Sequence, residues 1–412
     1  MPTSVGPNTK GEENLVFGYD LGDVSNSYRG EPTVNIIAGG NNRALGGSLP
    51  VGNRNFAGIT VVETQNYFYS KDRPDVVRLV CTATGSNGYK EFAQQSTGNT
   101  SGNTYIYSFD YKFVVPNDSG TGDMGTPFVY GNGYKNPDSG TRQANVSQTD
   151  YPLKDGWTRR VFKYDATYTG NNYYRTNVVA NGRFFEVLLD NFQIQENTHV
   201  TPFTADTRSA TQGLIDVTGN STIDLSNVSF DLNALPDWDG TSDYIKSTTP
   251  SDFRMGTSSF TLEAVAKQDV NTGHVLLEAR GNNLIGYLWV VNHGTTGRMS
   301  LFYNDDSNQN IHYQTGDFNV TLTGVYYHLA VKVDRNENNI YFYINGEQAG
   351  NAVALQHTNS ISPSSSDYYH VGWDRGGSPW NGQIAMFKHY NRVLTASEIR
   401  ANYNALKGRF NI

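Results

Sequence analysis

The sequence lacks several features that would assign a function directly. One cysteine, Cys81, occurs among 412 residues, so an intramolecular disulfide is excluded. Cys81 lies in the apolar run of residues 76–81, which is typical of a buried core residue. No apolar run approaches the roughly 20 residues that a membrane-spanning helix requires, and residues 1–14 are polar, without the hydrophobic segment of a classical signal peptide. We therefore expect no membrane partner.

Positive charge is also scarce. The chain has 31 Lys and Arg against 39 Asp and Glu, a net charge of −8, and its basic residues are scattered singly. Because binding to nucleic acid depends on clustered cations that contact phosphates, we expect no nucleic acid partner. The eight histidines show no paired spacing typical of a zinc site, and neither a phosphate-binding loop nor a nucleophile elbow occurs.

Glycine and aromatic residues, by contrast, are plentiful. The chain has 42 Gly and 27 Tyr, and long stretches alternate between apolar and polar residues. Residues 104–115 are the clearest example, because five aromatic residues fall on one face of a strand: Tyr105, Tyr107, Phe109, Tyr111 and Phe113. Asn345-Gly346 between two such runs predicts a tight hairpin. These patterns predict an all-β fold of antiparallel sandwiches.

The last 35 or so residues predict a strand followed by a short helix. An Asn-Gly turn at residues 381–382 precedes an alternating run, and Thr395 to Glu398 form a capping box. Ile399, Tyr403 and Leu406 then follow at helical spacing and make one apolar face.

Together with HLAV at residues 328–331 and IYFYING at residues 340–346, this ending resembles laminin-G-like, concanavalin A-type domains. The opening elements of that family are also found, but far apart: residues 15–20 and 28–30 on one side, and Asp216-Val-Thr-Gly-Asn220 on the other. The resemblance implies a discontinuous domain of residues 1–30 plus 207–412. The alternative is two domains in tandem with an unpaired N-terminal strand.

The intervening residues 31–206 resemble the jelly-roll carbohydrate-binding modules of xylanases and phage proteins. The similarity lies in YIYSFDYKF at residues 105–113 and in the closing segment of residues 185–203. The resemblance implies a second β-sandwich. In such modules an Asp of the closing strand can bind a structural calcium ion, and Asp190 matches it. The alternative is that Asp190 is an edge or turn carboxylate without an ion, so Ca²⁺ is the one candidate cofactor.

Aromatic and planar polar side chains concentrate near residues 368–380, where they could stack on a sugar and bind its hydroxyls. Trp373, Asp374, Arg375 and Trp380 are the candidate contacts with a glycan or a protein partner. The alternative is that Trp373 belongs to the core and that Trp380 covers the end of a sheet. Trp157 is a similar candidate in the first module, with packing as its alternative.

Catalytic carboxylates are not evident. A retaining glycosidase needs two carboxyl groups about 5 Å apart, and no Glu-x-Asp-x-x-Glu run occurs. Asp237-Trp-Asp239 lies between Pro236 and Gly240 and is interpreted as a structural turn. The acidic stretch at Asp305 and Asp306 is interpreted as a solvated loop, with calcium binding as its alternative. We therefore expect no enzyme activity.

The second domain resembles the laminin-G-like domains of tailed-phage virion proteins, and residues 403–412 are similar to endings found in marine phage structural proteins. This resemblance implies a capsid decoration protein, a fibre protein or a tail adhesin, synthesised in the host cytoplasm and carried on the virion. Its implied partners are other virion proteins, host surface polysaccharide and further copies of itself. The alternatives are a glycoside hydrolase with an accessory binding module and a free lectin.

Overall fold

The structure is a computed structural model that describes residues 12–36, 54–55, 59–83, 88–115, 129–131, 144–180, 184–270, 273–292, 298–307, 310–315, 323–362 and 368–412. The chain divides into two compact units. The discontinuous unit comprises Met1–Pro32 and Ser209–Ile412, and the inserted unit comprises Thr33–Arg208. The boundaries predicted from the sequence lie two residues away, at 30 and 207.

The discontinuous unit contributes the first strand, β1 (Leu15–Asp20). The described strands of the inserted unit are β2 (Thr33–Val34), β3 (Arg54–Asn55), β4 (Ile59–Tyr67), β5 (Val76–Ala83), β6 (Gly88–Asn99), β7 (Thr104–Val115), β8 (Val129–Gly131), β9 (Ala144–Pro152), β10 (Thr158–Asp165), β11 (Gly170–Ala180), β12 (Phe184–Glu196) and β13 (Thr207–Arg208). A short 3₁₀ helix, Lys154–Gly156, precedes β10.

Antiparallel sheets make up the inserted unit. Strands β4-β5-β12-β7-β10-β9 form one, β3-β6-β11-β8 form another, and β2 pairs with β13. The alternation of β7 places Tyr105, Tyr107 and Phe109 together in the buried interior, where Phe109 stacks on Phe192 of β12 at 5.6 Å. The predicted aromatic face of residues 104–115 is therefore confirmed for these three residues. The side chain of Cys81 in β5 lies outside the described residues.

The remaining strands belong to the discontinuous unit: β14 (Ile223–Asn227), β15 (Ser229–Phe230), β16 (Pro236–Asp239), β17 (Tyr244–Ser247), β18 (Phe260–Gln268), β19 (His274–Arg280), β20 (Gly286–Val291), β21 (Met299–Asn304), β22 (Asn310–Gln314), β23 (Tyr327–Asp334), β24 (Asn339–Ile344), β25 (Glu347–Gln348), β26 (Val353–Ala354), β27 (Tyr368–Val371) and β28 (Asn381–Tyr390). A 3₁₀ helix, Pro250–Phe253, and one α-helix, α1 (Ala396–Phe410), complete the described elements.

Two antiparallel sheets enclose the core of this unit. The nine-stranded sheet has the order β15-β16-β28-β18-β23-β24-β25, with β1 added on β28 and β26 on β24. The seven-stranded sheet has the order β14-β17-β27-β19-β20-β21-β22. Phe17, Phe260 and Phe387 of the first sheet pack with Trp289 and Tyr369 of the second in one buried cluster. The predicted all-β sandwich architecture is therefore confirmed.

Strand β1 is held on both of its edges. One edge pairs with β28, in the register Tyr19 opposite Phe387. At the other edge, the backbone N–H of Gly18 donates to Asp216 Oδ1 at 3.0 Å, and the carbonyl of Val16 accepts from Thr218 and Asn220. The Asp-Val-Thr-Gly-Asn motif thus satisfies backbone groups that a bare edge strand would expose.

The capping box predicted for α1 is confirmed, because Thr395 and Glu398 exchange hydrogen bonds at its first turn. Ile399 and Leu406 are buried, whereas Tyr403 is only half-buried. Leu406 packs on Val265 and Met386, on the surface of the nine-stranded sheet that faces away from the core. None of the described helices is long and apolar enough to cross a membrane.

Candidate functional site

The seven-stranded sheet has an outer face, opposite the core, that carries an unusual mixture of side chains. Successive residues of a strand point to opposite sides of the sheet, so the residues that alternate with core residues lie on this face. One such residue from each strand forms a row across the sheet. The row reads Asp224, Lys246, His370, Glu278, Leu288, Phe302 and His312. Among the described residues, the one α-helix packs on the other sheet.

Glu278 is the centre of this row and is fully buried. Its carboxylate lies 3.1 Å from Arg280 Nη2 and 3.2 Å from Arg375 Nε, and His370 Nδ1 lies 3.5 Å away. The backbone N–H of Arg375 also donates to it, at 3.3 Å. Burial opposes ionisation, but the contact with His370 and the charges of Arg280 and Arg375 outweigh it, so the pKa of Glu278 lies below its ordinary value.

The loop that follows β27 carries three of the predicted contact residues. It begins at Gly372, whose φ of 91° favours glycine and turns the chain sharply. Asp374 is buried and accepts a hydrogen bond from the backbone N–H of Ser378 at 3.0 Å, which closes the loop. Arg280 Nη2 lies 3.3 Å from Asp374 and thereby ties the loop to β19.

Arg375 fastens the same loop to the β19–β20 turn. Its Nη1 donates to Asn282 Oδ1 at 3.0 Å, and its Nη2 donates to the carbonyl of Gly281 at 2.6 Å. Its guanidinium also lies 4.2 Å above the ring of Tyr368. The structure therefore brings Asp374 and Arg375 together around Glu278, because Arg375 contacts Glu278 directly and Arg280 bridges Glu278 and Asp374.

Trp373 belongs to a partly exposed aromatic group beside these ion pairs. Its ring stacks on that of Tyr244 at a centroid distance of 5.1 Å and an interplanar angle of 23°. His370 contacts both rings, at 4.7 Å from Tyr244 and 5.5 Å from Trp373. An arrangement of this kind provides apolar ring surface for stacking and polar groups that can hydrogen-bond hydroxyls.

The prediction that Trp380 and Trp157 contact a glycan or a protein partner is wrong. Trp380 is fully buried, donates its Nε1–H to the carbonyl of Lys267 at 3.2 Å, and packs in the core of the sandwich. Trp157 is 2% exposed and lies beneath the guanidinium of Arg73 at 4.1 Å. Neither ring face is available to a sugar, so the alternative interpretation of packing holds for both.

Asp190 does not fit the predicted calcium site. Arg73 Nη1 lies 2.7 Å from one of its oxygens, and the backbone N–H of Asn191 donates to the other. The neighbouring Asp110 is paired with both Arg73 and Arg159, at 2.8 and 2.9 Å. Burial raises the pKa of Asp190 to about 6 against the charge of Arg73. Arginines thus occupy the positions from which a cation would contact the two carboxylates.

Other acidic side chains stabilise turns by accepting hydrogen bonds from the backbone. Asp305 is buried rather than solvated, and its Oδ1 accepts from the backbone N–H of Ser307 at 3.0 Å. Asp239 accepts from the backbone N–H of Thr241 at 2.7 Å, which supports its interpretation as a turn residue. No group of three or more His, Cys, Asp or Glu in the described ranges is arranged to hold a metal ion.

Asp237 differs from these turn residues. It is half-buried, and burial together with the charges of Asp269 and Asp231 raises its pKa to about 6. A raised carboxyl pKa is a property of general acids, although structural clusters of carboxylates produce it as well.

Sequence reasoning missed Glu278, His370 and Tyr244. These residues meet because β17, β27 and β19 are neighbours in the sheet although they are distant in the chain. The one local signal is that Glu278 is the acidic residue within the apolar run of residues 275–279. A buried carboxylate requires a partner, so this position predicts an ion pair without identifying it.

Comparison with known proteins identifies the fold of the C-terminal region. Residues 239–400 match a laminin-G model described as the concanavalin A-like lectin/glucanases superfamily, and these residues form a domain of that superfamily. The laminin-G-like, concanavalin A-type fold predicted from the sequence is therefore confirmed for this region. No curated protein matches the chain.

Solved structures give weaker likenesses. The carbohydrate-binding module CBM40 of the Ruminococcus gnavus IT-sialidase, bound to α2,6-sialyllactose, is 19% identical, with a TM-score of 0.31 over 36% of this chain and 85% of that chain. The binding domain of Paraclostridial Mosquitocidal Protein 1 is 14% identical, with a TM-score of 0.38 over 47% and 49%. The botulinum neurotoxin serotype D binding domain is 12% identical, with a TM-score of 0.35 over 48% and 49%. Likenesses of this degree do not transfer a ligand.

Proposed function

We propose that this protein is a non-catalytic glycan-binding protein that uses the outer face of its seven-stranded sheet. The observation that carries the proposal is the partly exposed pair of Trp373 and Tyr244, held beside a buried Glu278 that fixes the loop through Arg375. Aromatic rings that the protein holds in place can stack on a sugar with little loss of conformational entropy. The surrounding hydroxyl, imidazole and amide groups supply hydrogen-bonding partners.

The carboxylates of this face support binding rather than hydrolysis. Arg280 Nη2 bridges Glu278 and Asp374 at 3.1 and 3.3 Å, so both carboxyl groups face a cation. A glycosidase needs one carboxyl group that is protonated near neutral pH, which requires a raised pKa. The pKa of Glu278 is shifted in the opposite direction.

A glycan array probed with the full chain tests the binding function. Trp373→Ala should lower the affinity for any glycan bound by about tenfold or more, because it removes the stacking surface. Tyr341→Ala removes a half-buried aromatic side chain from the other sheet and should leave binding unchanged. Equal binding by the wild type and the Trp373 variant would contradict the proposed site.

We further propose that the protein is a structural component of a tailed-phage virion, as a capsid decoration protein, fibre or tail adhesin. The support is the resemblance of residues 207–412 to laminin-G-like domains of virion proteins. Several copies displayed together would compensate for weak single-site affinity through avidity. Mass spectrometry of purified virions should detect the chain, and light scattering should show an oligomer. Absence of the chain from purified virions would refute this location and would leave the free lectin as the proposed function.

One observation favours the rival function of polysaccharide hydrolysis. The pKa of Asp237 is raised to about 6, which is in the range of a general acid. Its neighbour in the sequence, Asp239, is exposed and engaged in a turn, so it does not complete a catalytic pair. Incubation with neutral and acidic polysaccharides should release no reducing sugar. Release that is abolished by Asp237→Asn would establish the hydrolase instead.

A further inference from the structure

We infer that the outer face of the seven-stranded sheet binds uncharged glycans and discriminates against acidic ones, an inference that rests on the proposed glycan-binding function. The reason is that the cations of this face already pair with carboxylates of the protein. Lys246 Nζ lies 3.1 Å from Asp224 Oδ2, and Arg280 Nη2 contacts both Glu278 and Asp374.

Arg375 lies in the same loop as Trp373, and each of its three guanidinium nitrogens has a partner within the protein. Nε lies 3.2 Å from Glu278, Nη1 lies 3.0 Å from Asn282 Oδ1, and Nη2 lies 2.6 Å from the carbonyl of Gly281. Arg254, which is exposed near Tyr368, is likewise partnered.

Apart from Arg254, the charged side chains named on this face are equal in number. Three carboxylates, those of Asp224, Glu278 and Asp374, face three cations, those of Lys246, Arg280 and Arg375. The stretches of residues 209–412 outside the described ranges contain no Lys or Arg.

An acidic glycan would have to compete for these cations. The carboxylate of a sialic or uronic acid, or a sulfate, binds best to a guanidinium with two free N–H groups. An acidic group that approaches Arg280 or Arg375 meets the like charge of Glu278 on the same cations. If it displaces Glu278, that carboxylate is left buried without its partners. An uncharged sugar needs only ring surface and hydroxyl partners, and it leaves every ion pair intact.

The experiment compares neutral oligosaccharides with sialylated and uronate-containing ones, by calorimetry with the full chain at 50 and 500 mM NaCl. A neutral glycan should bind with an affinity that changes by less than about twofold between the two salt concentrations, because no exposed charge pair forms. Acidic glycans should bind at least about tenfold more weakly. Preferential binding of an acidic glycan, with an affinity that falls steeply with salt, overturns the inference while leaving the proposed function intact.

Glu278→Gln provides the complementary variant. Removal of this carboxylate frees Nε of Arg375 and the N–H of Arg280, so acidic glycans should bind at least about tenfold more tightly than they bind to the wild type. Glu263→Gln, which changes a buried carboxylate on the other sheet, is the matched control and should leave this preference unchanged. Circular dichroism verifies that both variants fold. If the Glu278 variant does not fold, the charge and salt comparison on the wild type decides alone. Failure of every glycan to bind refutes the proposed function and this inference together.

Discussion

The two sheets of the discontinuous unit each bury a glutamate on the side that faces away from the core, but they use it differently. In the nine-stranded sheet, Glu263 lies beneath α1, where Asn402 of the helix donates to it at 2.8 Å and His328 Nε2 lies 3.4 Å away. In the seven-stranded sheet, Glu278 is held by Arg280 and Arg375, and the one described α-helix packs on the other sheet.

The difference shows that a buried carboxylate holds in place whichever element supplies its partners. A carboxylate removed from water is costly unless charges or hydrogen bonds compensate it. Glu263 obtains part of its compensation from α1 and so contributes to the docking of the helix. Glu278 obtains its compensation from a loop and so fixes the residues next to Trp373. One face is thereby covered by its own chain, and the other holds the loop of the proposed glycan site in place.

The covered face should be the more sensitive to loss of an ion pair. Arg409 of α1 forms two hydrogen bonds with Asp20 of β1, at 2.8 and 2.6 Å, and both side chains are buried. Asp20→Asn should lower the free energy of unfolding by about 3–5 kcal/mol, because it leaves a buried guanidinium without its counter-charge. Urea-induced unfolding measures this loss.

The control for this prediction lies on the same helix. Arg400 pairs with Glu347 at the surface, where their side chains are 47% and 68% exposed. Glu347→Gln should change the free energy of unfolding by less than about 0.5 kcal/mol, since water screens the pair. Similar losses in the two variants would show that burial of the ion pair is not what secures α1.

Acid should destabilise the two sheets together. His389 of β28 is buried in the shared core, where burial lowers its pKa from 6.5 to about 3. Between these values the unfolded chain takes up a proton that the folded chain does not, so stability falls as the pH falls below about 6.5. The loss should be roughly 3 kcal/mol at pH 4 relative to pH 7.

Thermal unfolding at a series of pH values measures this slope, and His389→Phe should reduce it. Because His389 contacts Tyr369 of the seven-stranded sheet at 3.1 Å, both faces should lose order at the same pH. An unchanged slope in the variant would assign the acid sensitivity to another group.

Substitution of Glu263 should change the stability of the protein, whereas substitution of Glu278 should change its ligand preference. Glu263→Gln should lower the free energy of unfolding by about 2 kcal/mol, because a buried network loses its charge, while glycan binding stays unchanged. Denaturant unfolding and calorimetry on the same preparation measure the two effects. A change in ligand affinity in this variant would indicate that the two faces are coupled.

Apart from the control variants, the smallest effect is expected at the first turn of α1. Thr395 accepts from the backbone N–H of Glu398 at 3.2 Å, and Thr395→Ala should lower the free energy of unfolding by about 1 kcal/mol. Ser397→Ala removes a hydroxyl that lies 3.0 Å from Thr395 Oγ1 but keeps the hydrogen bonds between Thr395 and Glu398, so it should cost less. A loss as large as that of Asp20→Asn would mean that capping, and not the ion pair, dominates the anchoring of the helix.

Features set by neighbours in the sequence were predictable. The capping box of Thr395 and Glu398 and the aromatic alternation of β7 both depend on residues within a few positions of each other. The resemblance to laminin-G domains also identified the motif at residues 216–220, although its role at the open edge of β1 emerged only from the hydrogen bonds.

Features set by distant partners were not predictable. The ring of Trp157 is covered by Arg73, from a loop far earlier in the chain, so no local pattern distinguished it from an exposed tryptophan. Asp190 matched a calcium ligand by position, but Arg73 supplies the positive charge. The network around Glu278 depends on strand neighbours that the order of the sequence does not reveal.

The pairing of β1 with β28 has a consequence for biosynthesis. The ribosome produces Leu15–Asp20 early, whereas its partner Asn381–Tyr390 emerges several hundred residues later. The inserted unit can complete its own sheets during this interval, since domains generally fold as units while the chain is being made. The sandwich of the discontinuous unit therefore closes last, and until then its first strand has unpaired edges that are open to pairing with other molecules.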